Sequence, residues 1–372
     1  ANAAVDDFLV LEMESEPGGN SRAGQSPLVA YPWGAHYLPL PPREAVHVRR
    51  LLAELGVLQG DPDAEKPIYD ERFLCATPQE RVYRHGLWEE GLLPHRGIDT
   101  GEREQQRRFH ERMEELKHAR GSDGRRVFVI PMALSSRDPE WLALDRLSFR
   151  QWLIDNGFTA PSLHWLANYA TRDDYGTAHD QTSAWAGLHY FACRNGAAAN
   201  ATGDAVLTAP EGNAWLARGL AQKAAGRILS DALVWRIEEG KSSIAVDVLA
   251  GAKTIRIEAR QLIWAAPAFV LPRVWGAVPG ELKAAALAGD YAPWLTANLH
   301  LSDFPEERHG APPAWDNVFY ESAGLGYVVA THQLIRRSLR GTVFTWYRAL
   351  HDVSPAEGRR LLLETPREAW AE

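Results

Sequence analysis

At 372 residues, with 45% hydrophobic and 24% charged residues, the chain has a globular composition and is long enough for two domains or one elaborate one. A formal net charge of −8 argues against nucleic acid as a partner, because phosphate binding wants a basic surface. No run approaches the ~18 apolar residues of a spanning segment, and Cys75 and Cys193, the only cysteines, make no CxxC pair and favour a reducing, cytoplasmic setting.

Phe8-Leu9-Val10-Leu11 reads as a short buried strand that ends on Glu12. In a dinucleotide-binding unit, an acid at the end of the second strand bonds the adenosine ribose, and a glycine-rich phosphate loop stands ~20 residues before it. Counting back from Glu12 passes residue 1, so this reading expects a first strand and phosphate loop ahead of the residues given. Pro17-Gly18-Gly19-Asn20-Ser21-Arg22 follows, where paired glycines let backbone approach a ligand without a Cβ. On its own the segment also reads as an ordinary turn. Tyr31-Pro32-Trp33-Gly34-Ala35-His36-Tyr37 reads as a loop.

Beyond Pro41-Pro42, a stripe of Val48, Leu51, Leu52 and Leu55 predicts a helix with Pro42 in its first turn and Gly56 at its end. Residues 69–93 predict a hairpin, with strands at Phe73-Leu74-Cys75-Ala76 and Arg81-Val82-Tyr83 and a turn near Arg84-His85-Gly86. Gly101 to Arg120 is a charged, solvated helix held by Phe109, Met113 and Leu116. Ser148-Phe149-Arg150-Gln151 is a capping box for a helix to Asn156, stopped by Gly157. A further helix is expected over Ser162 to Tyr169. Asn200-Ala201-Thr202 matches a glycosylation acceptor, a pattern common by chance.

Pro210 to Leu216 opens a helix through Ala221, and Ala232 to Ile237 reads as a strand. Ile244, Val246 and Val248 alternate before a turn at Ala250-Gly251-Ala252, and Ile255 and Ile257 alternate after it. Gln261-Leu262-Ile263-Trp264-Ala265-Ala266-Pro267 is expected as a buried strand. Thr296 to Leu301, Val318 to Tyr320, Gly326 to Val329 and Val343 to Tyr347 predict strands of a mixed sheet. A helix with Ser354 as its N-cap and Pro355 in the first turn runs to Leu363.

The acid followed by Gly18-Gly19, together with the order of helix, strand, hairpin and Ala-Pro over 210–267, resembles the superfamily of flavin amine oxidases, protoporphyrinogen oxidases and phytoene desaturases. That resemblance implies an α/β fold: an FAD-binding, Rossmann-like (glutathione-reductase-like) domain, incomplete at both ends, with an inserted α+β substrate domain. It implies FAD-domain pieces over 1–40 and 181–270, a mostly helical substrate domain over 41–180, and a substrate-domain sheet and helix over 271–372. The cofactor would be FAD, held by Glu12, Gly18, Gly19, Asn20, Ser21 and Arg22, by Trp33, Gly34, Ala35 and His36 beside the flavin ring, by Val234 at the adenine, and by Ala265, Ala266 and Pro267 along the crevice. Asn20 departs from the superfamily's arginine, and Arg22 supplies the charge two residues later.

The implied activity is oxidation of a small organic substrate, amine or polyene/porphyrinogen, by hydride transfer to flavin, with the cofactor carrying the redox step. The residues given are expected to be inactive by themselves. His36, His189 and Tyr190 are the polar groups the resemblance places nearest the flavin, though core duty is the simpler role for His189. No lysine equivalent to the one many amine oxidases keep near the flavin is identified, and no catalytic residue is assigned. Asp173-Asp174-Tyr175 and Trp185 are candidates for an amine pocket, since carboxylates and aromatic faces attract cations, and equally for structural roles. The thirteen histidines show no metal spacing. A cofactor-free binding module and a non-redox FAD-dependent isomerase remain the alternatives.

Overall fold

The computed structural model describes residues 7–336 and 340–371. Their contacts fall into two units. The larger holds Ala23–Asn213 and the residues from Ala292 onward; the smaller holds the residues up to Arg22 and Ala214–Tyr291. The sequence alone places boundaries after 40, 180 and 270, and the contacts divide the chain after Arg22, Asn213 and Tyr291. Within the larger unit Ala23–Gln25 pairs with Ala30–Pro32, and the Asn213 amide donates to the Ala35 carbonyl at 3.0 Å.

The larger unit is built on a six-stranded sheet in the order Trp294–Leu301, Thr342–Ala349, Gly326–Val329, Asp316–Phe319, Glu80–Arg84, Leu87–Glu90. Neighbours are antiparallel except that Asp316–Phe319 runs parallel to Glu80–Arg84, with Asp316 beside Glu80 and Val318 beside Val82. Side chains alternate along a strand, so the lateral partners Glu80, Asp316, Val328 and Thr345 share one face. Val82, Val318 and Tyr347, each two residues along, share it too.

The expected strand at Phe73-Leu74-Cys75-Ala76 does not form. The hairpin partner of Glu80–Arg84 is Leu87–Glu90 instead, joined by His85 and Gly86, both at positive φ (50° and 83°), the pattern of a tight two-residue hairpin loop. Leu74 makes only an isolated bridge to Leu207.

Helices cover the same face of the sheet. Thr100–His118 starts at Asp99, whose carboxylate accepts the Glu102 amide at 2.8 Å, and buries Gln106, Phe109, Met113 and Leu116 while its charged remainder faces water. Pro161–Tyr175 has proline in its first turn and ends on Gly176 at φ 66°, outrunning the expected end at Tyr169. Ala184–Ala192, not anticipated from the sequence, starts at Ser183 and packs on Phe149–Asp155. A Cβ at Gly187 would stand 2.3 Å from the Phe149 ring, so glycine permits that approach. One core joins Val82, Val318, Val328 and Tyr347 of the sheet to Phe109, Phe149, Leu163 and Leu188 of the helices. The helix after Pro42 begins only at Val46, because the Pro42 carbonyl accepts the Ala45 amide in a preceding turn.

In the smaller unit Val10–Leu11 runs parallel to Ile228–Leu229, the helix Ala214–Lys223 precedes the latter, and Ala232–Glu239, Ile244–Ala250 and Lys253–Ala259 form an antiparallel meander. Ala232, Val246 and Val248 centre its core. The expected strand over Gln261-Pro267 is absent. Among the described residues Gln261-Pro267 pairs with no strand of any sheet. Only Leu262 of that stretch packs on the core, and Ile263 is 90% exposed. Among the described residues no helix is long and apolar enough to cross a membrane.

Candidate functional site

In the smaller unit, Glu12 follows the strand Val10–Leu11, its amide donating to the Leu229 carbonyl at 2.9 Å and its carboxylate accepting the Glu14 amide at 2.9 Å. Gly18 has φ 137° and Gly19 φ 51°, conformations that favour glycine. A Cβ on Gly18 would meet that of Ala217 at 3.3 Å, so glycine lets this loop lie on the helix Ala214–Lys223. Gly19–Ser21, with Asn20 exposed at its centre, forms a single 3₁₀ turn. The Arg22 guanidinium stands 3.4 Å from the Glu14 carboxylate. Val234 lies in the first strand of the meander, beside Val248 and next to a bulge. Ala265, Ala266 and Pro267 are exposed.

The larger unit encloses a cavity on the helix-covered face of its sheet. It is lined by His36, Tyr37, Glu80, Tyr169, Asp173, Tyr190, Arg194, Trp315, Asp316 and Tyr347, with a free volume of about 60 Å³. That is room for a few waters or the head of a slender ligand.

The sheet supplies one wall. Glu80 and Asp316 stand side by side in the parallel pair, roughly 4.8 Å apart as neighbouring strands are. Pro161–Tyr175 supplies the facing wall, with Tyr169 and Asp173 one helical turn apart. The Tyr169 hydroxyl donates to Asp316 at 3.4 Å, and the Tyr37 hydroxyl to Asp173 at 3.4 Å. Arg194, just past Ala184–Ala192, donates to the Tyr37 oxygen at 2.9 Å and to Asp174 at 3.1 Å, and its guanidinium covers the Tyr190 ring at 4.1 Å.

His36 closes the cavity. It stacks on Tyr347 with ring centres 4.6 Å apart and lies 5.5 Å from Trp315. Its Nδ1 faces the Gly34 carbonyl at 3.2 Å. A carbonyl only accepts, so Nδ1 carries the proton and Nε2 is left as an acceptor. The Tyr347 hydroxyl donates to the same Gly34 oxygen at 3.1 Å, and the Thr208 hydroxyl to the His36 carbonyl at 2.7 Å. Trp33, by contrast, is 46% exposed, and neither Gly34 nor Ala35 lines the cavity.

Burial sets the ionisation. It lowers His36 to about 4, so the ring is neutral. Burial raises Glu80 to about 7, with Asp204 adding to the effect and Arg194 opposing it. Burial raises Asp173 to about 7 as well, helped by Asp174. Asp316 is raised well above the carboxylate range by burial and by Glu80 beside it. Neither Glu80 nor Asp316 has an ion-pair partner among the described residues, and Arg194 is committed to Asp174 and Tyr37.

Of the polar groups marked in the sequence, His36, Tyr190 and Asp173 meet in this cavity. His189 does not: its Nε2 donates to the Val129 carbonyl at 3.0 Å and its ring stacks on Trp185. Tyr175 donates to the Ala186 carbonyl at 2.8 Å, a helix-to-helix tie. Glu80, Tyr169, Arg194, Asp316 and Tyr347 escaped the sequence reading. The available signal was phase: Glu80 and Asp316 each stand two residues before a fully buried valine, Val82 and Val318, and so point the way of the core.

No family model and no curated protein matches the chain in sequence. Solved structures do match in fold. A putrescine oxidase triple mutant superimposes with a TM-score of 0.65 at 15% identity, over 97% of this chain and 72% of that one. Cyclohexylamine oxidase from Brevibacterium oxydans IH-35A gives 0.63 at 13% identity, over 98% and 73%. A fatty acid isomerase from P. acnes that produces CLA gives 0.61 at 13% identity, over 96% and 75%. The chain therefore has an amine-oxidase-like fold.

Proposed function

We propose that the protein is an FAD-dependent oxidoreductase acting on a small cationic amine. The observation that carries this reading is the cavity itself, where Glu80, Asp173 and Asp316 look inward among aromatic rings and the one lining guanidinium is spent on Asp174 and Tyr37. Enclosed carboxyls without cationic partners favour a ligand that brings positive charge, and tyrosine and tryptophan faces add cation–π attraction. A polyene, a porphyrinogen or a fatty acid tail would desolvate these acids with no compensation. The structural likeness to a putrescine oxidase and a cyclohexylamine oxidase supports the same choice.

When bound, FAD would accept the hydride from the substrate's α-carbon. Glu12, Gly18, Gly19, Asn20, Ser21, Arg22 and Val234 would hold its adenosine and phosphate half. The acid at the strand end and the positive-φ glycines fit that duty, since any Cβ on Gly18 would crowd the loop. Ala265, Ala266 and Pro267 would border the crevice through backbone. Trp33, Gly34, Ala35 and His36 would border the ring, with neutral His36 fixed by its bond to Gly34. The chain's own task in the cavity is to orient the ammonium with Asp173 and Glu80, to exclude water with Tyr37, Tyr169, Trp315 and Tyr347, and to accept the proton the amine must lose.

The likeness to a fatty acid isomerase keeps a non-redox use of the fold in view. Anaerobic mixing of FAD-loaded protein with short primary alkylamines, and with alcohols of equal length, decides the matter. The flavin colour is expected to bleach with an amine and not with its alcohol, and about tenfold or more slowly in Asp173→Asn, as loss of a charge-assisted contact implies. Bleaching by neither compound overturns the reading.

A further inference from the structure

Among the described residues Glu80 is the one cavity carboxyl with no side-chain partner. Asp316 accepts from Tyr169 and Asp173 from Tyr37, but Glu80 faces the cavity unbonded, with its lateral neighbour on the parallel strand another acid. Resting on the amine reading, we propose that Glu80 binds the ligand's ammonium group by exchange: it holds a proton before the ligand arrives and releases that proton to solvent as the ammonium seats.

The O–H bond of the Glu80 carboxyl breaks, the carboxylate left behind accepts from the R–NH₃⁺ group, and one H⁺ leaves for bulk water. Charge inside the cavity therefore rises by nothing beyond what the new ion pair neutralises.

The surroundings of Glu80 require this. Asp316 lies beside it on the adjoining strand, Asp173 and the Tyr169 hydroxyl face it from Pro161–Tyr175, and Asp204 approaches from the loop before Val206–Thr208. Cys75 lies on its own chain just ahead, and Tyr347 closes on Asp316 from the sheet. Against these, Arg194 is the single opposing cation near Glu80 among the described residues, and it is shared with Asp174. Like charges that close cannot all ionise in a desolvated space, so protons are retained until an external cation replaces them. Burial holding Glu80 at about 7 agrees with that geometry. A neutral ligand of the same shape would displace no proton and gain no ion pair, so the exchange also acts as a filter for cations.

Calorimetric titration of the full chain with butylamine, at pH 7 in two buffers of different protonation heat, reads the exchange directly. A substantial fraction of one proton per site is expected to be released at pH 7, more at lower pH and none well above it, with affinity falling about tenfold per pH unit on the acid side. Glu80→Gln should bind with clearly less proton released than the wild type and with the pH dependence reduced, Asp173 supplying what remains. Binding with no proton released by the wild type, or with the release unchanged in Glu80→Gln, overturns the exchange and leaves the amine reading standing. Absence of any amine binding overturns both. Infrared spectra of the wild type keep the test open if the variant misfolds: at pH 7 butylamine should remove part of the carbonyl stretch of protonated carboxyls, the Asp316 share remaining, and a band left unchanged by the ligand sinks the exchange.

Discussion

A second titrating group lies apart from the cavity, in the paired rings of His164 and His179. His164 Nε2 meets the Phe158 carbonyl at 3.0 Å, so it carries a proton, and neutral His164 must accept through Nδ1. His179 Nε2, 3.1 Å away, is then the donor, which leaves His179 Nδ1 bare; that atom is buried with no partner. Protonating either ring breaks the pair or buries an unsatisfied N–H. Burial, together with His164, lowers His179 to about 4, with Arg150 and Arg172 adding to the effect and Asp180 opposing it. The folded value lies below the unfolded one of about 6.5, so the unfolded chain binds the extra proton between them. Stability from this group is complete above about pH 6.5 and is lost as pH falls toward 4. Glu80 and Asp173, raised on folding, act with the opposite sign over much of the same range, so the comparison must be made against a variant. Urea midpoints measured from pH 7 to pH 4 should fall less steeply for His179→Asn than for the wild type. Parallel curves would show that the pair does not titrate as described.

Among the elements, those with a strong period and a cap were legible. Ser148 caps Phe149–Asp155 by accepting the Gln151 amide at 3.1 Å, and the hairpin Ile244–Ala250 with Lys253–Ala259 follows its alternation residue by residue. Half of the expected capping box is missing, because the Gln151 side chain bonds Asp155 instead of returning to the cap. Ser148→Ala should therefore cost about 1 kcal/mol, the worth of a single cap, measured as a shift in urea midpoint; no shift would mean the helix is held by packing alone. Gln261-Pro267 misled because an apolar run signals burial only where a neighbouring strand exists to receive it. The helix Ala184–Ala192 was hidden because its serine cap and apolar residues carry no contrasting polar face: Trp185, His189 and Phe191 are all partly buried. The cavity was legible only in part, since Glu80, Asp173 and Asp316 are brought together across more than 230 positions by sheet register and one helix, which no local pattern records.

For the whole molecule, the fold survives at 13–15% identity to an amine oxidase framework while no sequence family is matched. Such divergence is consistent with a core that needs only apolar residues of the right size and period. What a fold leaves free is the wall of its cavity, and here that wall is acidic and aromatic, in a chain whose net charge of −8 also favours the approach of cations. The amine reading stands or falls on a flavin held by this framework. The visible absorption spectrum of the purified protein, incubated with excess FAD and freed of unbound cofactor, reveals it. Retained flavin bands, shifted from those of free FAD and close to one equivalent per chain, are the predicted result. A colourless protein that sheds all added FAD would contradict the oxidoreductase account and leave the acidic cavity as a binding site for cations on a borrowed fold.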